Sequence, residues 1–319
     1  MSIIKPILAR FPVIEVAVRL AYWRVPVLRA LGDRIRSAIA ARRRAAPPAE
    51  PVDFEDVLAC LRALGVGAGD ILIVHSSYNA LKPTGLSPAA IVERLLALVG
   101  PEGTLAMPAI PIIRHEPKGA DKFSDAAYDR LFDYDADSLR IATGALPRTL
   151  MQAPGAARSL HPGNSMVAVG AQAEAMMRDN LSGDEPAACG PGSSWHYAYD
   201  HDAKIVALGV DMVHSLTMIH VAEDAFDWPV AGWYRRRRFR ISGKGVDREI
   251  AIRERKHSWS QYYAEHAFAR DLRRAGVMRT RMVGGIGISY CASRRLIQFL
   301  RDHPRVGYPY RFPLGVPRY

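Results

Sequence analysis

The sequence has no uninterrupted apolar run of about 20 residues, which argues against a helical membrane span. Cysteine is scarce. Cys60, Cys189 and Cys291 are widely spaced and odd in number, so neither a disulfide scaffold nor a thiolate metal pair is indicated, and the three read as thiols of a reducing compartment. A phosphate loop, a dinucleotide fingerprint, a serine elbow and a zinc signature are all missing. So is the aromatic and glycine pattern of a single-strand binder, as are fingers and basic recognition helices, and no nucleic-acid partner is expected. No internal repeat or low-complexity domain is found.

What the chain has in excess is positive charge. Lysine and arginine number 43 against 32 aspartates and glutamates, a net charge of +11 over 319 residues. Such a balance attracts anions: nucleic acid, lipid headgroups or a phosphorylated cofactor. Much of it sits in "ARRR" (41–44) and "YRRRRFR" (234–240), and the first expectation for both is a solvated basic face. At 49% hydrophobic and 24% charged residues, the composition is otherwise that of an ordinary globular protein.

The first 46 residues mix apolar and basic side chains and lack the cleavage pattern of a secretory signal. Leu20, Trp23, Val27 and Leu31 fall on one helical face, with Arg24, Arg34 and Arg36 beside them. That spacing suits an interfacial membrane helix with a tryptophan anchor, and equally a helical arm packed on the body or on a partner subunit. The proline-rich segment 47–52 is expected to link this arm to a body over 53–300, and the proline-rich end, 301–319, to wrap the surface without regular structure.

Within the body, "DFEDVLACLRALG" carries a helical stripe of Phe54, Val57, Leu58 and Leu61 behind a capping Asp53. "GDILIVHSS" is an apolar strand ending in a polar turn. "SPAAIVERLLALVG" is a capped helix with Pro88 at its first position, and "GTLAMP" a second strand. Strand, helix, strand at this spacing predicts a mainly parallel or mixed central sheet flanked by helices, an α/β fold. The residues after Trp228 suggest an antiparallel excursion in the C-terminal half. Ligands of such a sheet belong at the carboxyl ends of its strands. That rule selects "HSSYN", the residues beyond Met107-Pro108, and "GVDMVHS". The polar insertion 114–144 reads as a lid or substrate-binding element.

Three groups could carry chemistry. Ser76 and Ser77 follow His75 where a strand ends and exposes backbone N–H groups. His220 and Glu223, three apart in "TMIHVAEDAF", share a helical face. His161 lies in "RSLHPGNS", its backbone restricted by Pro162. Each motif alone also fits a cap, a surface pair or an ordinary turn.

Taken in order, the segments resemble the acetyl-coenzyme A-dependent aminoglycoside 3-N-acetyltransferase family. "ILIVHSSYNAL", "GPEGTLAMP", "LFDYDADS", "GALPRTLMQAPGAARSLHPGNSMVAVG" and "LGVDMVHSLTMIHVAED" are similar to the family's successive motifs, and "RMVGGIGISYCASRRLIQF" to its closing segment. The likeness covers about residues 53 to 300. It implies direct acetyl transfer from acetyl-coenzyme A to an amino sugar or aminoglycoside-like acceptor, with no metal. It further implies that His75, Ser76 and Ser77 line the cofactor site with Thr104 at its border, and that Arg158 meets a coenzyme phosphate. His161 would be the base and Glu223 the carboxylate that orients it or holds the substrate amine, while Asp133 and His220 would complete a polar floor. On this basis His161→Ala or Glu223→Ala should keep the fold and cut transfer about 100-fold.

Departures from the family pattern concern the acceptor. Aminoglycosides are polycations, which a chain of net +11 would repel if its basic runs face the cleft. "NALKPTGLSP" lacks the usual glycine-pair turn, and "PGSSWHYAYD" is unusually aromatic. These features leave open N- or O-acyl transfer to a nucleotide-linked, lipid-linked or polysaccharide sugar, and also a non-catalytic coenzyme A-binding or interaction module. The expected location is the cytoplasm. Peripheral contact of residues 1–46 with the inner face of the membrane is left open, as is a homodimer.

Overall fold

Strand β1 (Ile71–Ser76) begins with four consecutive apolar residues, and in the computed structural model they alternate between two cores. Ile71 and Ile73 face one side, Leu72 and Val74 the other, as the two-residue period of a strand requires when both faces are covered. Residues 4–45, 50–312 and 315 are described, without the side chains of Ile4, Lys5, Arg36 and residues 40–45. The basic "ARRR" side chains, residues 47–49 of the expected linker and residues 313, 314 and 316–319 of the tail lie outside the described residues.

The strands that follow are β2 (Thr104–Pro108), β3 (Leu131–Asp135), β4 (Ala157–Arg158), β5 (Met166–Gly170) and β6 (Lys204–Leu208). Then come β7 (Tyr234–Gly243), β8 (Val246–Arg255), β9 (Arg279–Val283) and β10 (Ile286–Ala292). Seven form one mixed sheet in the order β4-β5-β2-β1-β6-β10-β9, parallel at β2-β1-β6 and antiparallel elsewhere. The remaining three form a second sheet, β3-β7-β8, in which β7 and β8 are an antiparallel hairpin.

The helices that cover β1 form where the sequence caps them. Asp53 accepts a hydrogen bond from the Glu55 N–H at 2.9 Å, and the helix Phe54–Leu64 stops at Gly65, whose φ of 104° an L side chain rarely adopts. Ser87 does the same for Pro88–Val99, accepting from the Ala90 N–H at 3.2 Å.

The insertion 114–144 is not a free lid. It supplies β3 as the parallel neighbour of β7, and its Tyr128 ring lies 3.3 Å beneath the Arg235 guanidinium. The arginine run is also not a solvated face throughout, because strand alternation turns every second residue inward. Arg235 and Arg237 are buried beside Phe239 and Ile241, whereas Arg236, Arg238 and Arg240 are exposed. Glu254 neutralises the inner pair, accepting from Arg235 Nε at 2.8 Å and Arg237 Nη1 at 2.7 Å, and Glu116 bonds Arg237 from the insertion. Burial would raise the Glu254 carboxyl, but the two arginines outweigh it and hold it below its ordinary range.

The N-terminal arm is three helices, α1 (Ile4–Arg10), α2 (Pro12–Arg24) and α3 (Pro26–Ala45). Glu15 is buried against the helix Glu265–Arg274, accepting from the backbone N–H of His266 at 3.1 Å and from its Nδ1 at 2.9 Å. Trp23 packs on the body, as one of the two readings of the arm expects: its ring meets Phe123 edge-on at 5.2 Å, and the Lys122 Nζ sits 3.7 Å over it. Val27 and Leu31 of the expected stripe are exposed, and Leu28, Ile35 and Ile39 continue the exposed apolar face along α3. The tail is more than a surface wrap, since Tyr308 and Tyr310 are buried.

Candidate active site

A cavity of ≈ 570 Å³ opens between the two sheets. One wall is the carboxyl edge of the main sheet, with Val74, His75 and Ser76 from β1 and Pro108 from β2, joined by Thr143. Another is the end of the hairpin, from Ile252 to Lys256, with an aromatic wall of Trp233, Trp259, Tyr263 and Tyr310. His161, Gly163, Asn164, His220 and Asp224 also line it. Position at a parallel sheet's strand ends is what the topology requires of a ligand site.

His161 is 1% exposed, and its ring is held by backbone groups. Its own N–H donates to Ser159 Oγ at 3.1 Å, which fixes the turn. Nε2 lies 3.1 Å from the Pro186 carbonyl, so it carries the proton in the neutral ring. Nδ1 lies 3.0 Å from both the N–H and the carbonyl oxygen of Gly163. The neutral ring therefore accepts from that N–H, and a ring protonated at Nδ1 can donate to that carbonyl. A Cβ at residue 163 would stand 3.3 Å from both the imidazole and the Ala188 Cβ, a tight contact that glycine avoids. Burial lowers the His161 pKa, which keeps the ring neutral and able to take a proton at pH 7.

Glu223 does not orient His161; it belongs to a second cluster. His220 Nδ1 donates to Glu223 Oε2 at 3.1 Å, and Arg255 Nη1 donates to His220 Nε2 at 3.0 Å. Tyr310 donates to Glu223 Oε1 at 2.8 Å, and Arg255 stands 3.4 Å from Oε2. Burial and the nearby Arg255 cation push the His220 pKa down despite Glu223. Burial alone would raise Glu223, but His220 and Arg255 prevail and keep it ionised. The cluster is thus a neutral imidazole between a carboxylate and a guanidinium.

His75 is 6% exposed and burial lowers its pKa to about 4. Its Nε2 is buried without a hydrogen-bond partner, as is Thr143 Oγ1 on the same cavity. Two orphaned polar atoms on the strand-end wall fit the amide and thioester groups of a bound coenzyme. Trp195 joins this wall to the His161 turn. Its ring stacks on His75 at 6.2 Å, and its Nε1 donates to the Asn164 carbonyl at 2.7 Å.

Of the residues named from sequence, the cavity brings together His75, Ser76, His161 and His220, with Glu223 directly behind His220. Ser77 precedes the short helix Tyr78–Leu81 without a side-chain capping bond and is not among the lining residues. Three others lie elsewhere. Thr104 opens β2, at the opposite end of the strand from Pro108, and its hydroxyl accepts from the Gln172 N–H at 2.9 Å. Arg158 is buried, with Nη1 donating to the Ala136 carbonyl at 3.0 Å and the Ser138 carbonyl at 2.5 Å, a strut for the insertion rather than a phosphate ligand. Asp133 is exposed on β3. Sequence reasoning missed Arg253, Arg255, Trp233, Trp259 and Tyr310. The alternation in "RERKHSW" was the available signal for the arginines, and nothing local marked Tyr310.

Among the described residues no cluster of three or more His, Cys, Asp or Glu is arranged to hold a metal ion. A family model described as "Aminoglycoside 3-N-acetyltransferase" matches residues 73–303. The aminoglycoside N(3)-acetyltransferase III of Serratia marcescens is 34% identical over 176 residues, covering 53% of this chain and 63% of that protein. The chain thus spans less than two thirds of that relative's length. The aminoglycoside N(3)-acetyltransferase VIII of Streptomyces fradiae is 29% identical over 272 residues, covering 78% and 90%. The solved structure of AAC-IIIb in binary complex with CoASH superposes with a TM-score of 0.65 at 24% identity, covering 81% of this chain and 99% of that one.

Proposed function

The chain belongs to the aminoglycoside 3-N-acetyltransferase family, and from that premise we propose that it transfers an acetyl group from acetyl-coenzyme A directly to the amine of an amino sugar or aminoglycoside-like acceptor. The observation that carries this reading is the placement of His161 Nδ1 at 3.0 Å from both a donor and an acceptor of Gly163. A general base must be comfortable in two protonation states, and here each has a partner. An amine is protonated at neutral pH and attacks only after losing a proton. His161 takes that proton at Nδ1, exchanging the bond from the Gly163 N–H for one to the Gly163 carbonyl, while Nε2–H stays bonded to the Pro186 carbonyl. As the C–N bond forms and the thioester C–S bond breaks, the second amine proton would leave with the coenzyme A thiol.

Bound acetyl-coenzyme A supplies the acetyl thioester. His75 and Thr143 offer unengaged polar atoms at the strand ends, and Ser76 stands beside His75 to meet the thioester oxygen. His220, fixed by Glu223 and Arg255, is a positioning residue on the opposite wall. Residues 53–300 would form the catalytic unit. In the test, His161→Asn should lower acetyl transfer about 100-fold or more while coenzyme A affinity stays within about twofold. Near-normal turnover would refute the assignment.

The exposed Leu28, Leu31, Ile35 and Ile39 stripe on α3, with exposed Arg24 and Arg34 and half-buried Arg29 nearby, supports peripheral contact of residues 1–46 with an anionic membrane surface on the cytoplasmic face. No helix among the described residues is long and apolar enough to cross a membrane, so this contact would be interfacial.

A further inference from the structure

The charges around the cavity are unevenly committed. Its lining carboxylates are Asp224, Glu254 and Glu265. Asp224 Oδ2 accepts from the Cys189 N–H at 3.0 Å, and Oδ1 from the Tyr234 hydroxyl at 3.2 Å. Both oxygens of Glu254 are spent on Arg235 and Arg237. Glu265 meets Arg19 and His214, each at 3.4 Å. Glu223, behind them, holds His220 and Tyr310. Each of these acids already faces a cation of the protein: Asp224 and Glu223 face Arg255, Glu254 faces Arg235 and Arg237, and Glu265 faces Arg19.

The lining cations are Arg19, Arg253, Arg255 and Lys256. Arg19 pairs with Glu15 and Glu265, Arg255 with Glu223 and Asp224, and Lys256 with Asp125. Arg253 alone among these four has no carboxylate within 4 Å among the described residues. Its Nη2 donates to the Asp224 backbone carbonyl at 3.2 Å and its guanidinium lies 4.6 Å over the Tyr234 ring. These contacts fix the group and leave most of its N–H donors open. On the same cavity, the buried Trp233 Nε1–H also lacks an acceptor, and Trp233 stacks on Trp259 at 5.1 Å to give a flat apolar wall.

Resting on the acetyltransferase reading, we propose that the acceptor is an amino sugar bearing an anionic group, phosphate or carboxylate, which Arg253 receives. An uncommitted guanidinium beside carboxylates that are already paired with protein cations favours an anion over a polycation. The aromatic wall suits the apolar face of a sugar ring.

Calorimetric titration of the full chain tests this without requiring turnover. The probes are glucosamine, glucosamine 6-phosphate, 2-amino-2-deoxyglucuronic acid, tobramycin and coenzyme A. At least one of the two anionic sugars should bind about tenfold more tightly than glucosamine, an advantage that Arg253→Gln abolishes and Arg253→Glu reverses in favour of tobramycin. Coenzyme A affinity should be the same in all three proteins. Equal binding of glucosamine and the two sugars that carry an anionic group, or a preference for those two that survives Arg253→Gln, overturns the proposal. So does a loss of coenzyme A affinity in Arg253→Gln, which would assign the guanidinium to the cosubstrate. Failure of the wild-type protein to bind coenzyme A overturns the acetyltransferase reading alone, because the sugar comparison is read independently.

Discussion

Replacing Glu223 with glutamine removes one charge from a buried cluster and leaves its shape in place. Glu223 Oε2 stands 3.4 Å from Arg255 Nη1, and at an effective dielectric of about 20 two unit charges at that distance attract by about 5 kcal/mol before desolvation is counted. The variant leaves Arg255 with Asp224, whose oxygen is 3.8 Å from Nε, so part of that attraction survives. The expected cost is about 3 kcal/mol, the lower end for a buried pair that loses one partner. Urea denaturation followed by tryptophan fluorescence reads it, as does a melting temperature lowered by about 6 °C. The Glu223 pKa is depressed in the folded protein, so its contribution is fully present above its ordinary value of 4.5 and fades as pH falls below that value through the folded one. The gap between variant and wild type should therefore narrow in acid. Glu223→Gln combined with Arg255→Met should cost about 2 kcal/mol less than the sum of the single changes, since the orphaned charge is gone. Strictly additive losses, or a single variant within 1 kcal/mol of wild type, would refute this account. The outcome also bears on the sequence-based expectation that loss of Glu223 spares the fold: burial of the whole cluster makes the carboxylate part of the stability as well as the site.

Acid stability gives a second test. The His75 pKa is depressed from 6.5 to about 4 by burial, so the unfolded chain binds a proton there that the folded one refuses. Stability from this group is complete above about pH 6.5 and is lost as pH falls toward 4, about 2 kcal/mol of it between pH 7 and 5. His75→Asn should flatten that slope by the same amount, and parallel stability curves would contradict it. For the arm, Leu31→Glu with Ile35→Glu places charges in an exposed stripe without touching the core. Sedimentation with phosphatidylglycerol vesicles should be lost and sedimentation with phosphatidylcholine unaffected; unchanged partition onto the anionic vesicles would exclude the interfacial reading.

The parts of the fold that could be read directly are those whose signals are local. Asp53 and Ser87 cap the helices they were expected to cap, and "ILIV" is a strand because four apolar residues in succession need cover on both faces. Parallel pairing of β2, β1 and β6 then brings Ser76, Pro108 and the residues after Leu208 to one edge without further information. Thr104 failed for a reason present in the same rule: it begins its strand, and a ligand edge is made by strand ends. The second sheet was harder to see because its core side includes charge. Arg235 and Arg237 occupy inward positions that a period-two reading reserves for apolar residues, and they are stable there only because Glu254 from the next strand and Glu116 from the insertion meet them. A run of arginines therefore looks like surface until its partners are placed. The same accounting explains Arg253. It lies one residue from Glu254 and two from Arg255, whose charges are consumed inside the protein. Only when each pairing is known does its own guanidinium emerge as the uncommitted one. Acceptor charge preference is thus set by the balance of a network rather than by any motif, which is why net +11 pointed toward anions without showing where they would bind.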